Sequence, residues 1–452
     1  LWLLHCRCRD VAMRDDGRQL PGSAPRQGQQ FEAFSRIDAS THGTARPLTR
    51  FHVGHEEAHK VSGHELDYLA YRGPITGDFE VNCEVATRPG AFTELMVHAA
   101  ATQPIDEGNR ISVGGFAKGN QQLEITPQLE EIESFSHLRV VVRDGLARPF
   151  FNGRPVYDTA VDVSSAPWVA LRSWRRTNSE IRNLHIIGSP TIASSIDLLT
   201  NRSLDGWASY YDPDSGHGLG RWKGVVNDDQ SIYLVSDIAG SARGSYDEAL
   251  VRYVRPISWD AQIRYEFFFQ PGKSEVHPAF GRSVFLIDAD GVRLHRVTNA
   301  VHEQSGLRPD NQTDLPSGVN EMLGKPELRA GWNQAELQLT GDTLNLKLND
   351  QPIARVHLTR GQSRSFGLFH YRDQTRAVVR NLSLKGDWPN TIPPVETQCL
   401  ASQMAAELDH EAAKLPVKFV HDFRQGIPAK LFDVDGDQTS ITQVSDLSLI
   451  HI

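Results

Sequence analysis

Four histidines, three glutamates and one aspartate crowd the seventeen residues HVGHEEAHKVSGHELDY, from His52 to Tyr68. Within them His55, Glu56 and His59 match H-E-x-x-H. In that pattern a helix sets two zinc-binding imidazoles one turn apart, with a glutamate beside the metal-bound water. His64 follows near the place of a third ligand. The flanking residues argue against the helix. Gly54 precedes the motif and Ser62-Gly63 closes it, leaving about seven residues for a helix that requires more. A zinc hydrolase is therefore the disfavoured reading, and a polar loop the favoured one.

Sugar hydrolysis would need two carboxylates about 5–10 Å apart across a substrate. HELDYLAY supplies Glu65 and Asp67 but has Ala70 where a further glutamate would complete E-x-D-x-x-E. Glu130, Glu131 and Glu133 in QLEEIESF read as a solvated connector. FDVDGDQTS spaces Asp433, Asp435 and Asp437 like half of a calcium loop, yet the twelfth position is Val444. Cys6 and Cys8 lack a second ligand pair, Cys399 stands alone, and Cys83 alternates with Phe79, Val81 and Val85 as a buried core thiol would. No catalytic residue and no metal ligand set is assigned.

Aromatic side chains beside arginines suit carbohydrate better, because rings stack on sugar CH faces and guanidinium groups fork onto hydroxyls. LRSWRRTN and LFHYRDQ carry such clusters in corresponding places, and Trp174, Arg175, His370, Tyr371 and Arg372 are the candidate ligand-binding residues. Arg182 and Arg380, each preceding an asparagine, read as structural.

These clusters correspond because the chain repeats itself. YRGPITGDFEVNCEV, from Tyr71, returns as YVRPISWDAQIRYEF, from Tyr253, at an offset of 182. Leu138 onward returns from Ala335 at 197, and Ile181 onward from Val379 at 198. The second copy thus holds about fifteen extra residues, placed within DADGVRLHRVTNAVHEQSGLRPDNQTDLPSG, residues 288–318. Both copies are written in short β-branched, aromatic or alternating runs, broken by Asn152-Gly153, Asp290-Gly291, Gly341-Asp342 and Asn349-Asp350. The expected fold is all-β: tandem antiparallel β-sandwiches with a short helical linker near the C-terminus.

The expected divisions are an irregular tail over 1–35, sandwich one over 36–190 and sandwich two over 191–390. A proline-rich linker and helix follow over 391–415, then the start of a third unit over 416–446. Residues 447–452, LSLIHI, match a translated sequencing adapter and are set apart. The chain opens on Leu1 and is read as a fragment of a longer protein.

The 452 residues carry a net charge of −9 with 39% apolar and 23% charged side chains. That balance, without a basic stripe, excludes a nucleic-acid partner. No apolar run approaches the ~20 residues of a membrane span.

LTNRSLDGW, GWNQAELQLTGDTLNLKLNDQPIA and SRSFGLFHYRDQTRAVVRNLSLKG resemble a LamG or concanavalin A-like jelly roll. They are also similar to the 3-keto-disaccharide hydrolase-type sandwich domain and to uncharacterised tandem-sandwich families of large bacterial secreted proteins. The resemblance covers about residues 36 to 390. It implies an extracellular or cell-envelope setting, glycans or envelope components as partners, no cofactor, and room for one structural calcium. The expected function is non-catalytic carbohydrate or cell-surface recognition, or a structural role; the alternative is a sugar-active, glycoside hydrolase-like enzyme.

Overall fold

Strands alternate their side chains between two faces, so the apolar runs of each copy commit one face of every strand to a core. The computed structural model describes residues 34–38, 51–53, 57–60, 67–71, 73–86, 93–98, 100–104, 110–115, 121–124, 135–160, 166–173, 179–211, 221–238, 248–257, 260–297, 312–315, 320–358, 364–392, 420–421 and 450–451. The described secondary structure is strand throughout, and the sheets are antiparallel. The helix expected over 395–415 lies outside the described residues, as does nearly all of 416–446.

Residues 34–192 build two sheets and residues 195–386 build two more. The copies share one plan. In the first, the sheet order Asp67–Tyr71, Val169–Ser173, Thr93–Val97, Ala100–Pro104, Arg110–Gly115, Gln121–Glu124 matches the second copy's Glu248–Tyr253, Phe366–Tyr371, His277–Phe280, Ser283–Ile287, Val292–Arg296, Gln312–Asp314. The facing sheets match likewise: Ile75–Ala86 lies between Phe135–Arg143 and Ser179–Ile192, as Ala261–Phe269 lies between Gly331–Thr340 and Ala377–Gly386.

Turn chemistry follows the expected asparagines. Asn152 and Gly153 have φ of 48° and 81° in a two-residue hairpin, and Asn349 and Asp350 have 49° and 65°. Positive φ at both central residues gives the turn twist that suits paired strands. Each asparagine also reaches across: Oδ1 of Asn152 accepts from the His137 amide at 2.8 Å, and Oδ1 of Asn349 from the Gln334 amide at 3.0 Å.

The R-N motif has the structural role expected of it. Arg182 Nε donates to Glu84 at 2.5 Å and Asn183 Nδ2 to the same carboxylate at 2.9 Å. Arg380 and Asn381 hold Glu266 the same way, at 2.8 and 3.1 Å. Each guanidinium also covers an aromatic ring, Phe135 at 3.8 Å and Trp332 at 3.9 Å. Asn183 and Asn381 sit at φ of 54° and 49°, where both registers shift by a β-bulge. Asparagine tolerates that left-handed backbone, and the clamp fixes the bulge.

The HEEAH segment is corrected in one respect. Glu57–Lys60 is a strand, paired with Phe51–Val53 and with Ser179–Ile192. Its register partner Ile181 is the repeat equivalent of Val379, which faces Leu234. The segment therefore answers to strand Ile232–Ser236, where the offset is six residues shorter than at Tyr71. Four residues in a β-ladder cannot present the one-turn imidazole pair of a zinc protease. His55 and His64 lie outside the described residues.

The two sandwiches meet through buried aromatic and cationic groups. Trp168 of the first donates its Nε1–H to the Tyr253 hydroxyl at 2.6 Å and packs within the second core. Arg255 donates to the Tyr71 carbonyl at 3.0 Å and stacks over the Trp168 ring at 4.3 Å. Trp388 meets Trp168 edge-on and donates to the Ala193 carbonyl at 2.7 Å. Ile192 packs against both cores. In the remaining unit, Ala401–Ile452, strand Val420–His421 pairs with Ile450–His451.

Candidate functional site

The second copy's seven-stranded sheet buries two faces. Val251, Tyr253, Phe280, Phe285, Leu294, Phe366 and Leu368 enter the core between the sheets. The alternate positions, Leu250, Ala279, Val284, Leu286, Phe369 and Tyr371, form a separate cluster with Tyr210 and Tyr211 on the opposite face. A cross-strand row runs along that second face: Arg252 faces Gly367, which faces Ala279, then Val284, His295 and Gln312. The small residues in mid-row permit the sheet to bend. At Gly367 a Cβ would stand 2.8 Å from the Val251 carbonyl oxygen, so no larger side chain fits.

The bend is concave, as side-chain contacts across the sheet require. Glu248 and His295 belong to strands four places apart, which a flat sheet would separate by about 19 Å. Their side chains nevertheless meet, His295 Nε2 lying 2.6 Å from Glu248 Oε1. Gln312, one strand farther on, donates to the Tyr371 hydroxyl at 3.0 Å. Tyr211 donates its hydroxyl to the other Glu248 oxygen. Phe369 and Tyr371 lie against the His295 ring at 5.5 and 5.8 Å.

Electrostatics shift two tyrosines and one carboxylate around this face. Burial pushes the Tyr371 phenol up to about 12, with the Glu248 and Glu275 carboxylates adding to the rise. Burial and the Glu248 charge put Tyr211 far above the ordinary phenol range. Both remain neutral donors or acceptors at physiological pH. Burial raises the Glu275 carboxyl, but His277 and Thr375 outweigh that and hold it below the usual carboxylate range.

The five sequence candidates separate. Tyr371 is on the concave face. His370, its neighbour, alternates to the inner side, fully buried, where it packs edge-on to Trp222 at 5.2 Å. Its Nδ1 donates to the Thr375 carbonyl at 3.0 Å and its Nε2 accepts from the Ser236 hydroxyl at 2.9 Å. His370 therefore ties strands together and does not face outward. Arg372 is half-buried in the turn after Tyr371. Trp174 and Arg175 lie outside the described residues. Sequence reasoning missed Glu248, His295, Tyr211 and Gln312. No signal pointed to them: His295 and Gln312 lie in strands that both copies share, Val292–Arg296 and Gln312–Asp314 answering to Arg110–Gly115 and Gln121–Glu124.

The first copy places other chemistry on the corresponding face. Arg172 and Glu94 are direct cross-strand partners and form a buried ion pair there. By register Arg172 corresponds to Phe369 and Glu94 to His277. Duplication retained the turn asparagines and the bulge clamp, while this sheet face diverged.

Two family models match parts of the chain. Residues 242–391 match a domain of unknown function, DUF1583_N, a span that contains Glu248, His295, Gln312 and Tyr371. Residues 139–222 match a protein of unknown function, DUF1581, across the junction between the copies. No curated protein sequence matches the chain. Among solved structures, the chain is similar to carbohydrate-binding module CBM66 from Bacillus subtilis (10% identity, 34% of this chain and 96% of that one, TM-score 0.26). It is similar also to a putative glycosyl hydrolase from Parabacteroides distasonis (11%, 43% and 94%, 0.27) and to mouse laminin α1 domains LG4-5 (11%, 75% and 92%, 0.22). Among the described residues no helix is long and apolar enough to cross a membrane. The chain is an all-β protein of antiparallel sandwiches carrying two matches to domains of unknown function.

Proposed function

We propose that this chain is a recognition module of a larger secreted or envelope-associated bacterial protein, and that it binds carbohydrate without turning it over. The observation that carries the reading is the position of Tyr371. It lies on the concave face with its hydroxyl fixed by Gln312, between Glu248 on one neighbouring strand and Glu275 on the other side. Arg372 follows it in the adjoining turn. An oriented phenol flanked by acceptors and a guanidinium suits a hydroxyl-rich ring, whose CH face stacks while its hydroxyls are paired.

A sugar-active enzyme is the second reading, because Glu248, on the strand beside Tyr371, and Glu275, just before strand His277–Phe280, both act on the Tyr371 phenol. A pair of carboxylates across a sugar is what glycoside hydrolysis uses. Against it, both Glu248 oxygens already accept hydrogen bonds, from His295 and Tyr211, which favours a fixed scaffold over a proton donor.

A glycan array probed with the full chain, run beside an assay for released reducing ends, tests this. Binding without release is expected. Release would transfer the assignment to the enzyme, and neither signal would overturn recognition in favour of a spacer.

A further inference from the structure

We propose that His52, His59 and Glu180 form a divalent metal site of the zinc class on the outer face of the first sandwich, fixing the edge strand Phe51–Val53 to its sheet. Backbone register makes His52 the cross-strand partner of His59, and His59 the partner of Glu180. Three metal-binding residue types thus form one row across three adjacent strands. The neighbouring row, Val53, Ala58 and Ile181, shares the core face, since Ile181 is buried in the first core. Alternation places the His52–His59–Glu180 row on the opposite, solvent face, where Glu180 is half-buried. Direct cross-strand partners have Cβ atoms about 4.5–5.5 Å apart, close enough to share an ion whose ligand atoms stand roughly 3.3 Å from one another.

Two imidazoles and one carboxylate select the ion. Imidazole suits zinc and its transition-metal neighbours, whereas calcium and magnesium take oxygen ligands. Three protein ligands leave a fourth tetrahedral position open to water or a small ligand. The cation nearest the row along its own strand, Arg182, is held by Glu84 at 2.5 Å and lies over the Phe135 ring. The fold itself does not demand these residue types. In the second sandwich the same row reads Lys223, Val235 and Val378, so that copy keeps the strands and carries none of the three ligands. Among the described side chains no three metal-binding groups stand together; this row is set by backbone register. It gives the HEEAH segment a chemistry that its helical spelling does not, with His59 partnered across a hairpin by His52 in place of His55 one turn away.

The test titrates zinc chloride by calorimetry into the full chain after treatment with a chelator. His52→Gln and His59→Gln should each weaken zinc binding at least about tenfold, and Glu180→Gln should weaken it in the same direction. The double variant His55→Gln, His64→Gln keeps the row and should bind zinc as the wild type does. Cobalt(II) in place of zinc should give the intense visible absorption of a tetrahedral site, lost in His59→Gln. All variants should retain the metal-free circular dichroism of the wild type, because the row lies on the solvent face; should one histidine variant fail to fold, the other carries the comparison. Zinc bound equally well by the row variants, or lost with His55 and His64 instead, overturns the proposal in favour of adventitious binding by the histidine-rich segment. Absence of zinc binding to the wild type overturns it outright, and neither result bears on recognition at the concave face.

Discussion

His295 and Glu248 lie four strands apart in one sheet, and their side chains meet at 2.6 Å. Only a sheet curled towards that face brings them together, so this single contact reports the shape of the surface. It also makes the surface costly to disturb. Both residues are buried, and Glu248 is the common acceptor for His295 and Tyr211.

Replacing Glu248 by alanine should therefore strand two buried donors. The expected loss is about 3–5 kcal/mol, a fall in Tm on the order of 10 °C for a sandwich of this size. Glu248→Gln keeps an acceptor and should lose less. Thermal unfolding followed by circular dichroism checks the order, and equal losses would refute the shared-acceptor role.

The bulge clamp predicts an unusual ranking at Asn381. Alanine removes the bond to Glu266 and strains a φ of 49°, costing about 2 kcal/mol, whereas glycine relieves the strain and costs about half that. Chemical denaturation of both variants measures it. Alanine proving the milder change would contradict the left-handed role assigned to this asparagine.

Coupling between the sandwiches rests on Trp168, Tyr253, Arg255 and Trp388. Calorimetry of the wild type should show residues 34–386 unfolding in one transition. Trp168→Ala should split it in two, since the cation–π contact and the bond to Tyr253 go together. An undivided transition in the variant would show that the contacts do not couple the sandwiches.

Burial holds the His370 imidazole down to about 4 from 6.5, with the Thr375 carbonyl and the Glu275 charge opposing that fall. The folded protein thus binds fewer protons here than the unfolded chain between those values. Stability from His370 is fully present above about pH 6.5 and is lost as pH falls towards 4, on the order of 3 kcal/mol in all. Comparing urea midpoints of the wild type and His370→Gln across that window should show the steeper loss in the wild type, and equal slopes would refute the contribution of His370.

Much of the fold was legible in the residues. Asn152-Gly153 and Asn349-Asp350 declared their hairpins because few other residues accept positive φ. The repeat tied Arg182 to Arg380 before either was seen at a bulge. The HEEAH segment was placed correctly outside a helix but assigned to a loop, because the flanking Gly54 and Ser62-Gly63 read as turn signals although Glu57–Lys60 between them is a strand. The concave face was largely illegible. Period-two alternation tells which side chains share a face, but not that strands four places apart curl until Glu248 meets His295 and Gln312 meets Tyr371. Alternation did separate His370 from Tyr371, which as sequence neighbours had been taken together.

The central claim is that ligand meets the concave face of the second sandwich. Its most direct test is calorimetric titration of the tightest-binding neutral oligosaccharide from the array into the full chain, its Tyr371→Ala variant and its Trp332→Ala variant. Trp332 stacks under Arg380 on the outer face of the facing sheet. The account predicts that Tyr371→Ala loses binding at least about tenfold while Trp332→Ala leaves it unchanged. Binding lost with Trp332 and kept without Tyr371 would place the ligand on the other sheet and contradict the account.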